Sequence, residues 1–192
     1  GNSTELLVAR FPGAEIVGVD TSPDMLAAAR KRLPAQSFVA GDVASWMPDA
    51  PADLIFSNAL FQWVPDHIAV LARLMGALKS GGVLAIQVPD SLGEPSHALM
   101  REMVQSGPLA ARFRKPIERE AIGAPRDYYD ALKPLSARLD IWHTLYNHPM
   151  ADAAAIVEWL KGTGLRPYLD RLDASEQVAW LAEYEARVAK AY

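Results

Sequence analysis

The chain has 192 residues, 51% of them apolar and 22% charged, with 19 Lys and Arg against 23 Asp and Glu. That length supports one sizeable core, and the mildly acidic balance argues against broad nucleic-acid binding. No apolar run approaches the roughly 20 residues that span a bilayer, and the absence of cysteine excludes disulfides, thiolate metal sites and cysteine nucleophiles. A cysteine-free chain fits a cytoplasmic protein.

In chain order, Ser3 or Thr4 can cap a first helix that carries Leu6 and Leu7, with Gly13 just beyond it. No signal-peptide pattern occupies residues 1–10. Residues 16–19 read as a short β-branched strand, and 23–33 as a helix with Pro23 at its start. A second strand over 37–40 ends at Gly41-Asp42. Residues 53–57 (DLIFS) and 83–88 (VLAIQV) form apolar runs of the kind that a parallel sheet buries on both faces. Between them, apolar residues at helical spacing predict a helix over 67–78, terminated by Lys79-Ser-Gly-Gly.

Beyond residue 90 the pattern turns helical, with helices expected over 95–106, 127–132, 151–163 and 175–189. A basic stretch, ARFRKPIERE (111–120), separates the first two, and 139–146 reads as one further strand. The alternation of strands and helices predicts an α/β fold: a doubly wound, Rossmann-like, mostly parallel sheet with a helical cap region. The expected division is a core over 1–90 and a cap segment with the remaining strand over 91–192, built as one structural domain. A chain that starts and stops on helices reads as such a sheet cropped at both ends.

In open parallel sheets, ligands bind beyond the carboxyl ends of the strands. The residues standing there are Asp20, Asp42, Asn58 and Gln87 to Asp90, with Ala59 leaving the third strand beside Asn58. Asp20 follows Gly1 by 19 positions, close to the roughly 20 that separate a Gly-rich turn from a ribose-binding acid. A carboxylate can accept from both vicinal hydroxyls of a ribose. Met25 or the Thr21 backbone can then cover the base, Asp42 can accept from an adenine amine, and the Val43 N–H can donate to a ring nitrogen. Each acid taken alone is also an ordinary turn residue, Asp42 more so since Gly-Asp is common in turns; two after adjacent strands favour adenosine. Leu60, Phe61, Gln62, Trp63 and His67 crowd the exit of the third strand, as core residues or as the wall where cofactor meets substrate.

The segments GNST, VGVDTSPDML, GDV, DLIFSNALFQWVPDH and LKSGGVLAIQVPD together resemble the class I S-adenosylmethionine-dependent methyltransferases. Within that family, LMRE, YYD, DIWHTLYNHPM and EWLKGTGLRPYL resemble the branch that esterifies trans-aconitate. The resemblance implies S-adenosylmethionine as cofactor and S-adenosylhomocysteine as product. It also implies that Gly1 closes an Asp-x-Gly-x-Gly-x-Gly-Asn-Ser-Thr motif, so that Gly1 and Asn2 join the cofactor site. The implied reaction is in-line methyl transfer to a carboxylate of a small polycarboxylic acid, giving a monomethyl ester in a water-excluded site. A carboxylate is already ionised at neutral pH, so no general base is needed, and catalysis becomes a matter of positioning. Gln62, Trp63 and His67 are the candidates for that role.

The other carboxylates of such a substrate need cationic or hydroxyl partners. Arg126, Tyr128, Tyr129, His143, Tyr146 and Arg166 qualify by type, though each is also an ordinary surface or packing residue. Histidines 67, 97, 143 and 148 form no set with metal-ligand spacing, so no metal is expected. Neither a nucleic acid nor a membrane is called for, and a monomer is compatible with the pattern.

Two other readings stand beside this one. Tyr129 and Lys133 mimic the Tyr-x-x-x-Lys of NAD(P)-dependent short-chain dehydrogenases, although Pro134 interrupts the helix that such a pair requires. The chain is also compatible with an inactive nucleotide-binding or interaction module.

Overall fold

A computed structural model describes residues 1–105, 109–114 and 121–192. Ser106 at the end of the helix expected over 95–106, and residues 115–120 of the basic stretch, lie outside the described residues. The chain forms two compact units, Gly1–Pro89 with Ile122–Trp142, and Asp90–Ala121 with His143–Tyr192.

The first unit runs α1 (Asn2–Arg10), β1 (Val17–Asp20), α2 (Pro23–Arg32), β2 (Ser37–Ala40), β3 (Ala52–Asn58), α3 (His67–Met75) and β4 (Leu78–Gln87). Chain returning from the other unit then adds α5 (Pro125–Leu132). All four strands pair in parallel, β1 with β2 and β3 with β4. Parallel pairing with helices in the connections is the Rossmann-like α/β arrangement the alternating pattern predicts. Register sets Asp20 opposite Ala40 and Asn58 opposite Gln87, so each pair ends on a candidate site residue.

Local chemistry accounts for the helix ends. The Ser22 hydroxyl accepts from Met25 N at 3.3 Å and Pro23 fills the first turn, so α2 starts where its sequence asks. Leu26 and Ala29 of α2 bury against Phe38 of β2. On α3, Val70, Leu71 and Leu74 bury with Phe61 and with Leu132 of α5. Leu74 is wholly inaccessible, and burying such a side chain stabilises by about 1.5–3 kcal/mol.

Three expectations change. The first helix starts at Asn2 with Gly1 at its cap position and no side-chain cap, so neither Ser3 nor Thr4 caps it. The helix over 67–78 stops at Met75: Gly76 closes it, the Ala77 carbonyl accepts from Ala52 N at 2.9 Å, and Leu78 opens β4. Strand pairing thus captures residues whose apolar spacing alone continues the helix, and Gly81 (φ +79°) lies in the bulged stretch of β4 where pairing steps from Ala52–Leu78 to Leu54–Val83. Residues 139–146 form no strand, because an extended segment becomes one only by pairing and none of the described residues pairs with it.

The second unit is helical: α4 (Pro95–Gln105), α6 (Ala153–Lys161), a one-turn α7 (Arg166–Leu169) and α8 (Ala174–Ala191). Its core stacks Trp180 between Tyr168 and Tyr184, at centroid distances of 5.8 and 5.3 Å, with Met100, Leu165 and Val188 closed around them. Burial raises the Tyr184 phenol well above its ordinary pKa, and its hydroxyl donates to the Ser96 carbonyl at 2.8 Å. The Asp173 carboxylate, held below the usual range by the Glu176 N–H and the Ser175 hydroxyl, caps α8. No helix among the described residues is long and apolar enough to cross a membrane.

Candidate active site

The ladder between β1 and β2 extends one step past the strands, where Gly41 N donates to the Asp20 carbonyl at 3.1 Å. That bond sets Asp20 and the Gly41-Asp42 turn side by side at one sheet edge. Asp20 is half-buried, and its Oδ1 accepts from Ser22 N at 2.9 Å, which leaves Oδ2 for another donor. Asp42 behaves alike: Oδ1 accepts from Ala44 N at 2.9 Å, and its carbonyl accepts from Ser45 N and Trp46 N. Among the described residues, none of the turn's hydrogen bonds uses the Val43 N–H or Asp42 Oδ2. A Cβ on Gly41 would lie 2.9 Å from the Trp46 indole and 3.0 Å from Val19, so only glycine lets Trp46 close over this edge.

At the end of the second strand pair, Ala59 has a left-handed backbone (φ +54°), which strains a non-glycine residue by about 1–2 kcal/mol. Two bonds hold it there. Its N–H donates to the Gln87 carbonyl at 3.0 Å, and its carbonyl accepts from Gln62 Nε2 at 2.8 Å. Gln62 is buried with its Oε1 unpartnered among the described residues, as is the buried Ser57 Oγ. Asn58 and Trp63 are exposed. Strained backbone and unsatisfied polar atoms at one strand end are features that accumulate at functional sites.

His67, the first residue of α3, is joined to Tyr128 of α5 by a 2.7 Å bond between Nε2 and the phenol oxygen, with ring centroids 5.6 Å apart. Sequence places the two residues 61 positions apart and gives no sign that they meet. Tyr129 is exposed, and Arg126 is nearly fully solvated in an i,i+4 pair with Asp130 at 3.3 Å. His143, Tyr146 and Arg166 belong to the second unit, where all three are exposed. There they face Asp90 (4.0 Å), the stacked His148 ring and Asp170 (3.8 Å) respectively.

Some expected groupings do not form. Gly1 and Asn2 lie beside Ala29 and Arg32 on the second half of α2, with the Arg32 guanidinium bonded to the Asn2 side chain. Ala29 is seven residues past Ser22, about 10 Å along the helix at 1.5 Å per residue, so Gly1 and Asn2 flank the half of α2 remote from its capped start. Met25 is exposed in the first turn of α2, and Thr21 lies between Asp20 and the Ser22 cap. Lys133 leaves α5 for a 3-10 turn with Pro134 and directs its Nζ to the Ala137 carbonyl at 3.4 Å, which leaves the Tyr-x-x-x-Lys spacing without its helix. Among the described residues no His, Asp or Glu cluster could hold a metal ion.

A family model for a methyltransferase domain matches residues 1–86. Curated relatives from Rhodopseudomonas palustris strain BisB5 (58% identical) and Rhizobium etli (54%) each align with the whole of this chain and 75% of their own length. A third, from Afipia carboxidovorans, is 55% identical over the same shares. Each is named trans-aconitate 2-methyltransferase. The chain belongs to the trans-aconitate 2-methyltransferases. As a member of that family it is a methyltransferase, and neither the dehydrogenase nor the inactive-module reading is supported.

Sequence reading passed over two residues of this site. Arg73 and Trp46 hold the Asp42 turn, with the Arg73 guanidinium on the carbonyls of Trp46 (2.8 Å) and Val43 (2.7 Å). The available signal was a lone arginine inside the apolar run Val70–Leu71–Ala72–Arg73–Leu74.

Proposed function

We propose that the chain transfers a methyl group from S-adenosylmethionine to a carboxylate of trans-aconitate, releasing the monomethyl ester and S-adenosylhomocysteine. The observation that carries the cofactor assignment is the pair of half-used carboxylates, Asp20 and Asp42, set side by side by the Gly41–Asp20 bond. Their remaining oxygens match the donors of adenosine: ribose hydroxyls for Asp20 Oδ2 and the exocyclic amine for Asp42 Oδ2. The unused Val43 N–H suits a ring acceptor. Asn58 and Ala59 stand where the second strand pair ends, the expected place for the remainder of the cofactor. Gly1, Asn2, Met25 and Thr21 belong to the same assignment as expectations from the family pattern. S-Adenosylmethionine supplies an electrophilic methyl group when bound.

For the substrate, Tyr128 and His67 offer a hydroxyl and an imidazole already bonded to one another, and Tyr129 and Arg126 lie on the same short helix. The Arg126–Asp130 pair is exposed, worth about 0.3–0.5 kcal/mol, and yields readily to a substrate carboxylate. Gln62 acts on this reading by pinning Ala59, and Trp63 by walling out water. No residue is asked to remove a proton, since the accepting carboxylate is ionised at neutral pH. His143, Tyr146 and Arg166, each exposed on the second unit, are further candidates by residue type.

The test is incubation with S-adenosylmethionine and trans-aconitate, with cis-aconitate and citrate in parallel, read by mass spectrometry of the ester. Ester formed fastest from trans-aconitate supports the proposal. Turnover of another acid, with trans-aconitate inert, overturns the substrate assignment and leaves the reaction class standing.

A further inference from the structure

Arg73 projects from α3 half-buried and commits its guanidinium to one turn. Nη1 donates to the Trp46 carbonyl at 2.8 Å, while Nη2 donates to those of Val43 at 2.7 Å and Ala44 at 3.2 Å. We infer that Arg73 is a positioning residue for the adenine end of the cofactor, holding the Asp42–Trp46 turn in the orientation that reads the base. This rests on the reading of that turn as the adenine site.

The turn's own bonds, from Ala44, Ser45 and Trp46 back to Asp42, give it a shape but do not place it. Three attachments place it. Gly41 continues the ladder to Asp20, the Val43 side chain packs onto the cluster of Leu71, Leu74 and Phe61, and Arg73 grips three carbonyls. Among the described residues, Arg73 makes the side-chain hydrogen bonds that tie this turn to α3, which packs on β4.

Peptide planarity makes the grip directional. The Asp42 carbonyl is bonded inward to Ser45 and Trp46, so the Val43 N–H of the same trans peptide points out of the turn. The next carbonyl, that of Val43, is fixed by Arg73. Val43 is therefore clamped on both sides, and its outward N–H keeps a set angle to the Asp42 carboxylate. A donor and an acceptor at a set angle are what distinguish adenine, which offers an amine and a ring acceptor, from hypoxanthine, which offers a carbonyl and a ring N–H. Three carbonyls spread along a turn suit a planar fork with five donors, whereas a lysine ammonium is a single point.

The test measures binding of S-adenosylhomocysteine and of its 6-oxo analogue, S-inosylhomocysteine, to the wild type and to the R73Q, R73K and D42N variants. R73Q should weaken S-adenosylhomocysteine binding by about tenfold and cut the adenine-over-hypoxanthine preference by about tenfold, roughly one charge-assisted hydrogen bond. R73K should lose less of both. A merely structural role lowers affinity for the two ligands alike, so an unchanged preference in R73Q overturns the inference. Should R73Q fail to fold, a wild-type preference in R73K does the same. D42N separates this from failure of the underlying reading. Preference lost in D42N but kept in the Arg73 variants refutes the role of Arg73 alone. Preference kept in D42N as well means that the turn does not read the base.

Discussion

Asp20→Asn isolates the carboxylate that is expected to hold the ribose. In the structure, Asp20 Oδ1 is already used by Ser22 N at 2.9 Å, and Ser22 in turn caps α2 through Met25 N. Asparagine keeps an oxygen for Ser22, so the turn and the helix start should survive with a stability change of at most about 0.5 kcal/mol. What changes is the other position, where a charged acceptor becomes an amide donor. A hydrogen bond to a charged group contributes about 1.5–3 kcal/mol, and Asp20 is half-buried, so the lower part of that range applies. At 1.4 kcal/mol per factor of ten, the Kd for S-adenosylhomocysteine should rise by about tenfold to thirtyfold. Calorimetric titration of wild type and variant gives the ratio, and a urea melt of each checks that the fold is unchanged. If the wild type binds and the variant binds within about twofold of it, both equally stable, the Asp20 carboxylate does not hold the ribose and the reasoning fails.

Tyr128→Phe should raise the KM for trans-aconitate about tenfold while leaving kcat within a few-fold, since one hydroxyl partner of a carboxylate is removed; an unchanged KM in steady-state assays removes Tyr128 from the substrate site. Gly41→Ala places a methyl 2.9 Å from the Trp46 indole and should displace that ring, weakening cofactor binding as read by titration and by Trp fluorescence. Leu74→Ala empties a fully buried position and should cost about 2.5–5 kcal/mol in urea denaturation. For Tyr184 the folded pKa is raised, so its contribution is fully present below the unfolded value of about 10 and is lost as pH rises through the folded value. Urea midpoints should therefore fall above about pH 10, and Tyr184→Phe should flatten that fall; an equal slope in both proteins would sink the assignment.

Much of the site was legible because strand ends announce themselves. The change from apolar run to acid at Asp20 and at Gly41-Asp42 is a local feature, and parallel register then sets the two acids at one edge. Alternating elements likewise specify an α/β fold, since strands joined through helices have few other ways to pair. The end of α3 was illegible, because Leu78 continues the helical spacing and is drawn into β4 only by pairing with Ala52. Residues 139–146 alternate like a strand, yet a strand is a property of two segments and not of one.

By itself the sequence determined most element types, the two acids and the histidine and tyrosine candidates, because residue type and spacing act over a few positions. Tertiary structure alone decided that His67 meets Tyr128 across 61 residues, and that Gly1 and Asn2 rest beside Ala29 and Arg32 of α2. It also decided that Arg73 is spent on main-chain carbonyls. Those outcomes depend on which surfaces pack together, and packing is settled by the free energy of the whole chain and by no short stretch of it.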